Sequence, residues 1–224
     1  MVLKLSSFYI SLGVVIVMDN LFFILKGALT TVEISIIALI GGTCIGFIMG
    51  LAHISRIRLL NIIAQVYSGV FRGIPIIIWL FLIYFGIPLL TDREVPLSLS
   101  VYMGFMLWTG AYMGEIVKAG IKSVPDTQWK AAKSLGMNYI QQMYYVILPQ
   151  SLKVIIPPAT GFFVGLIKDT SAAYILGYPE LLRASRLVMQ RTTVFFPILL
   201  GIAGLYFVIC FPLSLFAQRL EGKK

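Results

Sequence analysis

The chain has 224 residues, 59% hydrophobic and only 12% charged, with a formal net charge of +9 and a mean hydropathy of +0.94. So much apolar material in long runs excludes a soluble globular domain and indicates an all-α, polytopic membrane protein. The positive charge sits in loops beside apolar runs, as orientation signals facing anionic lipid do, and no nucleic-acid-binding motif accompanies it.

Lys4 precedes an apolar run over residues 8–18 that is short for a crossing and is followed by no Ala-x-Ala cleavage pattern. Residues 1–26 are therefore expected to form an interfacial or partly inserted helix ending near Asp19 and Asn20; a full crossing there would invert the topology. Span one is expected over residues 27–51, long enough at ~1.5 Å per residue to cross a ~30 Å hydrocarbon core. Gly42, Gly46 and Gly50 lie on one face of it, where another helix can approach closely. Glu33 is expected to snorkel to the outer interface. Cys44 and Cys210 fall in apolar stretches and read as small core residues. His53 has no Cys or carboxylate at ligand spacing, which argues against a metal site.

A basic loop with Arg56 and Arg58 leads to span two, residues 67–90. It contains Arg72-Gly73-Ile74-Pro75: the arginine is costly unless paired or facing a cavity, and Pro75 predicts a kink. After Asp92, Arg93 and Glu94 comes span three, residues 99–117, with Gly110 and Gly114 at packing spacing and an exit through Glu115, Lys118 and Lys122.

A polar stretch follows. Asp126 is placed to cap a short helix, Ala131, Ala132 and Leu135 sustain it, and Gly136 sits where a left-handed residue would end it. Asn138 and Gln141 have capping-box spacing for a second helix, ending at Leu148-Pro149. Span four, residues 152–176, carries Pro157-Pro158 early and Lys168-Asp169-Thr170-Ser171 late. That charged block is either a functional site or a self-neutralising pair at the outer interface. Gly161, Gly165 and Lys168 lack phosphate-loop spacing, so this chain is not expected to bind ATP. An amphipathic stretch over residues 178–191 precedes span five, residues 193–216, and a tail, residues 218–224.

The polar stretch also carries a resemblance. Ala131-Ala132, three residues, Gly136, nine residues and Val146-Ile147-Leu148-Pro149 resemble the EAA loop of bacterial ABC importer permeases, which reads Glu-Ala-Ala, three residues, Gly, nine residues, Ile-x-Leu-Pro. Lys130 stands where that loop has its Glu, and Val146 where it has Ile. Residues 71–88 are similar to the Arg-Gly-Thr-Pro segment of the polar-amino-acid subfamily (histidine, glutamine and arginine type), with Ile74 in place of Thr and Trp79 where Gln is frequent. The Ala111-to-Pro125 stretch and the Lys168–Ser171 block have counterparts there too.

The resemblance spans residues 27–216 and implies a type I ABC importer permease fold over residues 27–217, about five crossings with a cytoplasmic coupling segment at 123–149. It implies the pore subunit of an importer for amino acids or related small polar solutes in the bacterial plasma membrane, not an enzyme, with alternating access driven by ATP hydrolysis elsewhere. No cofactor is then bound by this chain; ATP and Mg belong to ABC ATPase subunits. The other implied partners are a second permease copy or a paralogue and an extracytoplasmic solute-binding protein. The implied ATPase-docking residues are Lys130, Ala131, Ala132, Leu135, Gly136, Leu148 and Pro149. The implied substrate-pathway residues are Arg72, Trp79, Asp169, Thr170 and Ser171. An outside N-terminus and a cytoplasmic C-terminus place Arg56, Arg58, Lys118, Lys122, Lys130, Lys133, Lys153, Arg219, Lys223 and Lys224 inside, against Lys4, Lys26, Arg93, Arg183, Arg186 and Arg191 outside or near its boundary. The bias agrees with the positive-inside rule, and Arg183, Arg186 and Arg191 weaken it. The alternative is a self-contained secondary transporter or channel using intramembrane Glu33, Arg72, Lys168 and Asp169; the absence of an inverted repeat weighs against it.

Overall fold

A computed structural model describes residues 15–16 and 18–221, and among these the chain contains helices and connections but no strand. The expected interfacial helix at residues 1–26 lies largely outside the described residues. Helix α1 (Leu21–His53) begins ahead of the expected residue 27. No Gly or Pro interrupts residues 21–26, and helical hydrogen bonds run through Asn20, whose N–H donates to the Ile16 carbonyl and whose carbonyl accepts from Ile24. The expected boundary between residues 26 and 27 thus falls inside one helix.

Helices α2 (Arg58–Gly73) and α3 (Ile76–Thr91) replace the expected single span over residues 67–90. Ile74 is extended, as the residue before a proline must be, and Pro75 occupies the N-cap of α3. The kink read from Pro75 is therefore a complete break, and the two helices meet at 103°. Helix α4 (Leu97–Lys122) follows, then the short α5 (Asp126–Ser134). Helix α6 (Tyr139–Leu176) contains Pro157 and Pro158, tightens to 3₁₀ geometry over Thr170–Leu176, and stops at Gly177 with φ 87°. Helices α7 (Leu181–Thr192) and α8 (Phe196–Glu221) complete the chain.

By length and composition, α1, α6 and α8 each suffice to cross a membrane, and the bent α2–α3 pair adds a fourth crossing if it is one span. The 26-residue α4 is about 39 Å long at 1.5 Å per residue, and its interior position accounts for its more polar composition. It is the central element. Gly42, Gly46 and Gly50 of α1 seat directly on it: a Cβ at Gly46 would lie 2.3 Å from the Met113 Cβ, and one at Gly42 2.5 Å from the Thr109 Cβ. Phe105 and Val101 of α4 are fully buried with Ile34 and Ala38 of α1, Leu80 of α3 and Leu166 of α6. At the other end of α4, Val117 and Ile121 pack with Met143, Ile147 and Ile155 of α6. The outer face of the chain is apolar, with Leu29 and Ile40 of α1 and Phe207 and Val208 of α8 exposed, as expected of a surface solvated by lipid.

Candidate functional site

Two groups of side chains carry chemistry. The first is the connection between α4 and α6. Pro125 is the N-cap of α5 and makes no side-chain cap bond, so Asp126 is the first helical residue instead of the expected cap. Its charge there still favours the helix dipole. Helix α5 ends in a Schellman arrangement around Gly136, whose φ is 78°: Met137 N–H donates to Ala132 O at 3.2 Å, and Gly136 N–H to Lys133 O at 3.0 Å. The capping box then forms in full. Asn138 Oδ1 accepts from Gln141 N–H at 3.0 Å, and Gln141 Oε1 accepts from Asn138 N–H at 2.9 Å.

Packing and a hydrogen bond from Gln150 Nε2–H of α6 to Gln128 Oε1 at 3.3 Å hold α5 against the chain. Trp129 stacks on Tyr139 with ring centroids 6.1 Å apart, and Ala132 is buried. Lys130, Ala131, Leu135 and Gly136 remain exposed, Leu135 to 77%. Ala132 points inward, Leu148 is half-buried, and Pro149 is exposed beside a groove lined by Tyr144, Tyr145 and Leu152. The expected docking residues therefore divide into an outward set and Ala132, which anchors the helix.

The second group surrounds the α2–α3 break. Arg72, in the last turn of α2, lies 5.4 Å over the Tyr112 ring, and its Nη1 is 3.7 Å from Glu115 Oε1. Glu115 also meets Lys118 Nζ at 3.1 Å and His53 Nε2 at 3.2 Å, and the same His53 nitrogen is 3.0 Å from Ser68 Oγ. One carboxylate on α4 thus gathers basic groups from α1, α2 and its own helix. The His53 ring is buried, whereas the Arg72 and Glu115 side chains are 42% and 29% exposed, so this charge pair opens on one side. Stacked aromatics flank it: Tyr112 on Phe162 at 5.2 Å, and Phe71 on Trp79 at 4.1 Å. The Trp79 Nε1–H is buried and has no hydrogen-bond partner among the described residues.

The remaining pathway residues lie late in α6. Asp169 and Lys168 are exposed and, among the described residues, form no ion pair with each other, contrary to a self-neutralising reading. Thr170 is fully buried and its hydroxyl donates to the Ile167 carbonyl at 2.7 Å, which commits that donor to the helix backbone. Ser171 is half-buried. The turn that follows meets the start of α3, where Ala172 and Leu176 pack on the core shared by Ile76 and Trp79. Glu33, read as a snorkelling acid, is exposed but tied: the Tyr102 hydroxyl donates to its Oε1 at 2.5 Å and also lies 2.9 Å from the Tyr178 hydroxyl.

Sequence reasoning passed over Glu115 as a boundary charge and His53 as a solitary histidine. Tyr112, Glu115 and Lys118 fall at successive three-residue steps on one face of α4, and that spacing was the available signal. Glu180 was also missed. It is fully buried as the N-cap of α7, accepting from Leu182 N–H at 2.8 Å and Arg183 N–H at 2.7 Å. Burial pushes its carboxyl up to about 7, outweighing those two hydrogen bonds.

Comparison with known proteins gives concordant matches. The family described as binding-protein-dependent transport system inner membrane component matches residues 42–224. A probable amino-acid ABC transporter permease protein, YckA, of Bacillus subtilis is 36% identical over 90% of this chain and 88% of its own length. The L-cystine transport system permease protein TcyB of the same organism is 35% identical over 88% of this chain and 84% of its own. A putative glutamine transport system permease protein of Rickettsia conorii is 33% identical over 91% and 94%. Among solved structures, an amino acid ABC transporter crystallised with histidines superposes with a TM-score of 0.84 at 28% identity, over 92% of this chain and 96% of that one. The MetNI methionine ABC transporter, at 15% identity and a TM-score of 0.78, shares the fold.

Proposed function

The chain belongs to the family of inner membrane components of binding-protein-dependent transport systems and is a permease subunit of an ABC amino-acid importer, and from that membership we propose how its residues divide the task. The α4–α6 connection faces the cytoplasm, and α5 is the coupling helix that docks on an ATPase subunit carrying ATP and Mg. A second permease copy or a paralogue completes the pore, and an extracytoplasmic binding protein delivers the solute. The N-terminus lies outside and the C-terminus in the cytoplasm. Lys130, Ala131, Leu135, Gly136 and Pro149 form the docking surface, and Ala132 and Leu148 support it from behind.

The solute is recognised at the α2–α3 break. The observation that carries this is the half-exposed pair of Arg72 and Glu115 beside the Tyr112 ring. A separation of 3.7 Å is long for a charge-assisted hydrogen bond. A zwitterionic amino acid entering between the two replaces that long contact with short ones, its carboxylate on Arg72 and its ammonium on Glu115 and the Tyr112 face. Phe71, Trp79 and Ile74 form the wall met by the solute side chain. Asp169 and Ser171 act earlier on the path, at the outer end of α6, while Thr170 keeps that turn in shape.

Uptake into proteoliposomes containing the permease and its ATPase, supplied with the solute-binding protein, tests the assignment. Arg72→Ala and Glu115→Gln are each expected to raise the solute concentration needed for half-maximal uptake by roughly tenfold or more, with the ATPase still bound. An unchanged half-maximal concentration in both variants would move the recognition site elsewhere.

A further inference from the structure

The outward face of α5 is cationic and, among the described residues, unpaired. Lys130 and Lys133 are both exposed, one helical turn apart on a nine-residue helix, where like charges repel. Among the residues whose side chains are described, no carboxylate oxygen lies within 4.0 Å of either lysine nitrogen. Asp126 has the i, i+4 spacing to reach Lys130, yet it lines a polar cleft with Lys122 and Arg56 instead. Leu135 and Ile140, each 77% exposed, project on either side of the Gly136 turn.

This combination does not suit a lipid surface. A helix lying on a bilayer needs an apolar face free to insert, and the inward side of α5 is occupied by Trp129 and Ala132 packed on the chain itself. A rigid knob with two lysines and two flanking apolar side chains suits a protein cleft. Resting on the coupling assignment above, we propose that α5 fits a cleft on the ATPase subunit with an apolar floor and a carboxylate-bearing rim, and that Lys130 and Lys133 supply the positive half of the contact. The same two lysines set which ATPase the permease accepts, because a cleft with a basic rim would oppose them.

The test co-expresses the full-length permease with its ATPase and measures how much ATPase stays with tagged permease in mild detergent as salt rises from about 50 to 500 mM. Wild type should lose ATPase as salt rises. The K130E/K133E double variant should retain about tenfold less ATPase at low salt and K130Q/K133Q an intermediate amount, with permease yield and elution volume unchanged. Equal retention by the charge-reversed variant, or retention indifferent to salt, would overturn the proposal. So would unchanged retention accompanied by uptake that depends on the lysines only when the vesicles contain anionic lipid, since the face would then meet lipid. Failure of wild type to retain any ATPase would instead strike at the coupling assignment.

Discussion

At the scale of single residues, Glu180 shows a buried acid in a structural role. Glu180 caps α7 from inside an apolar junction, where Leu181 N–H also donates to Thr31 Oγ1 of α1 at 3.1 Å. Its carboxyl titrates near 7 in the folded chain, against 4.5 for a free glutamate. The folded state therefore holds more protons than the unfolded state between those values. This stabilising contribution is full below pH 4.5 and is lost as pH rises through about 7, a loss on the order of 3 kcal/mol. Thermal unfolding in detergent should shift to lower temperature between about pH 4.5 and pH 7 and level off above that, and Glu180→Gln should flatten that dependence. An identical slope in the variant would assign the titration to another group. Glu180 and Glu115 were both invisible as site residues in the sequence for one reason: burial and ion pairing depend on which helices meet, and a single glutamate beside a charged neighbour looks the same exposed or buried. Arg72 was legible because an arginine beside a proline in an apolar run conflicts with membrane burial wherever it packs.

At the scale of elements, local chemistry was readable and angles were not. The left-handed Gly136 and the Asn138–Gln141 box follow from residues at most a turn apart, and both form as the sequence indicates. Replacing Gly136 by Val forces a β-branched side chain into positive φ, at a cost of about 1–2 kcal/mol or more confined to a surface turn. Gly136→Val should leave the amount of permease in the membrane unchanged and abolish ATP-driven uptake; normal uptake would remove the turn from the coupling path. The proline before α3 announced a kink, but the complete break and its 103° angle depend on the burial of Leu80 against α4, which no local signal encodes. The glycine seam of α1 is different, because its period alone marked the face. Gly46→Leu has to displace the Met113 Cβ at 2.3 Å and the Gly110 carbonyl at 3.0 Å, so it should exceed the ~1–3 kcal/mol usual for overpacking. Its yield of monodisperse protein should collapse, whereas Gly69→Leu, where a Cβ would meet nothing within 4 Å beyond its chain neighbours and the adjacent helix backbone, should retain it.

At the scale of the whole molecule, the order of apolar segments and the family were legible because both are written along the chain, in run lengths and motif spacing. The place of α4 at the centre was not, since its composition makes it the least membrane-like of the crossings. The proposed orientation yields a direct labelling test. In a background with Cys44 and Cys210 replaced, Ser134→Cys should react with a membrane-impermeant maleimide only after the cells are opened. Arg93→Cys, in the α3–α4 connection, should react in intact cells. The reverse pattern would invert the topology and place α5 on the wrong side for any ATPase.

The glycine seam has one mechanical consequence. Where backbone meets side chain this closely there is no slack for α1 to slide along α4, so the two helices form one stiff rod. Only residues 123–125 separate the end of that rod from α5. A push on α5 is then delivered undamped along the last turns of α4 to Glu115 and Tyr112, about 10–15 Å from its end at Lys122 at 1.5 Å per residue, beside the single extended joint at Ile74 and Pro75 from which α3 hangs. The chain has the parts of a lever with its hinge beside Arg72, and on the proposed assignment a stroke made at the ATPase would be spent where the solute is proposed to bind.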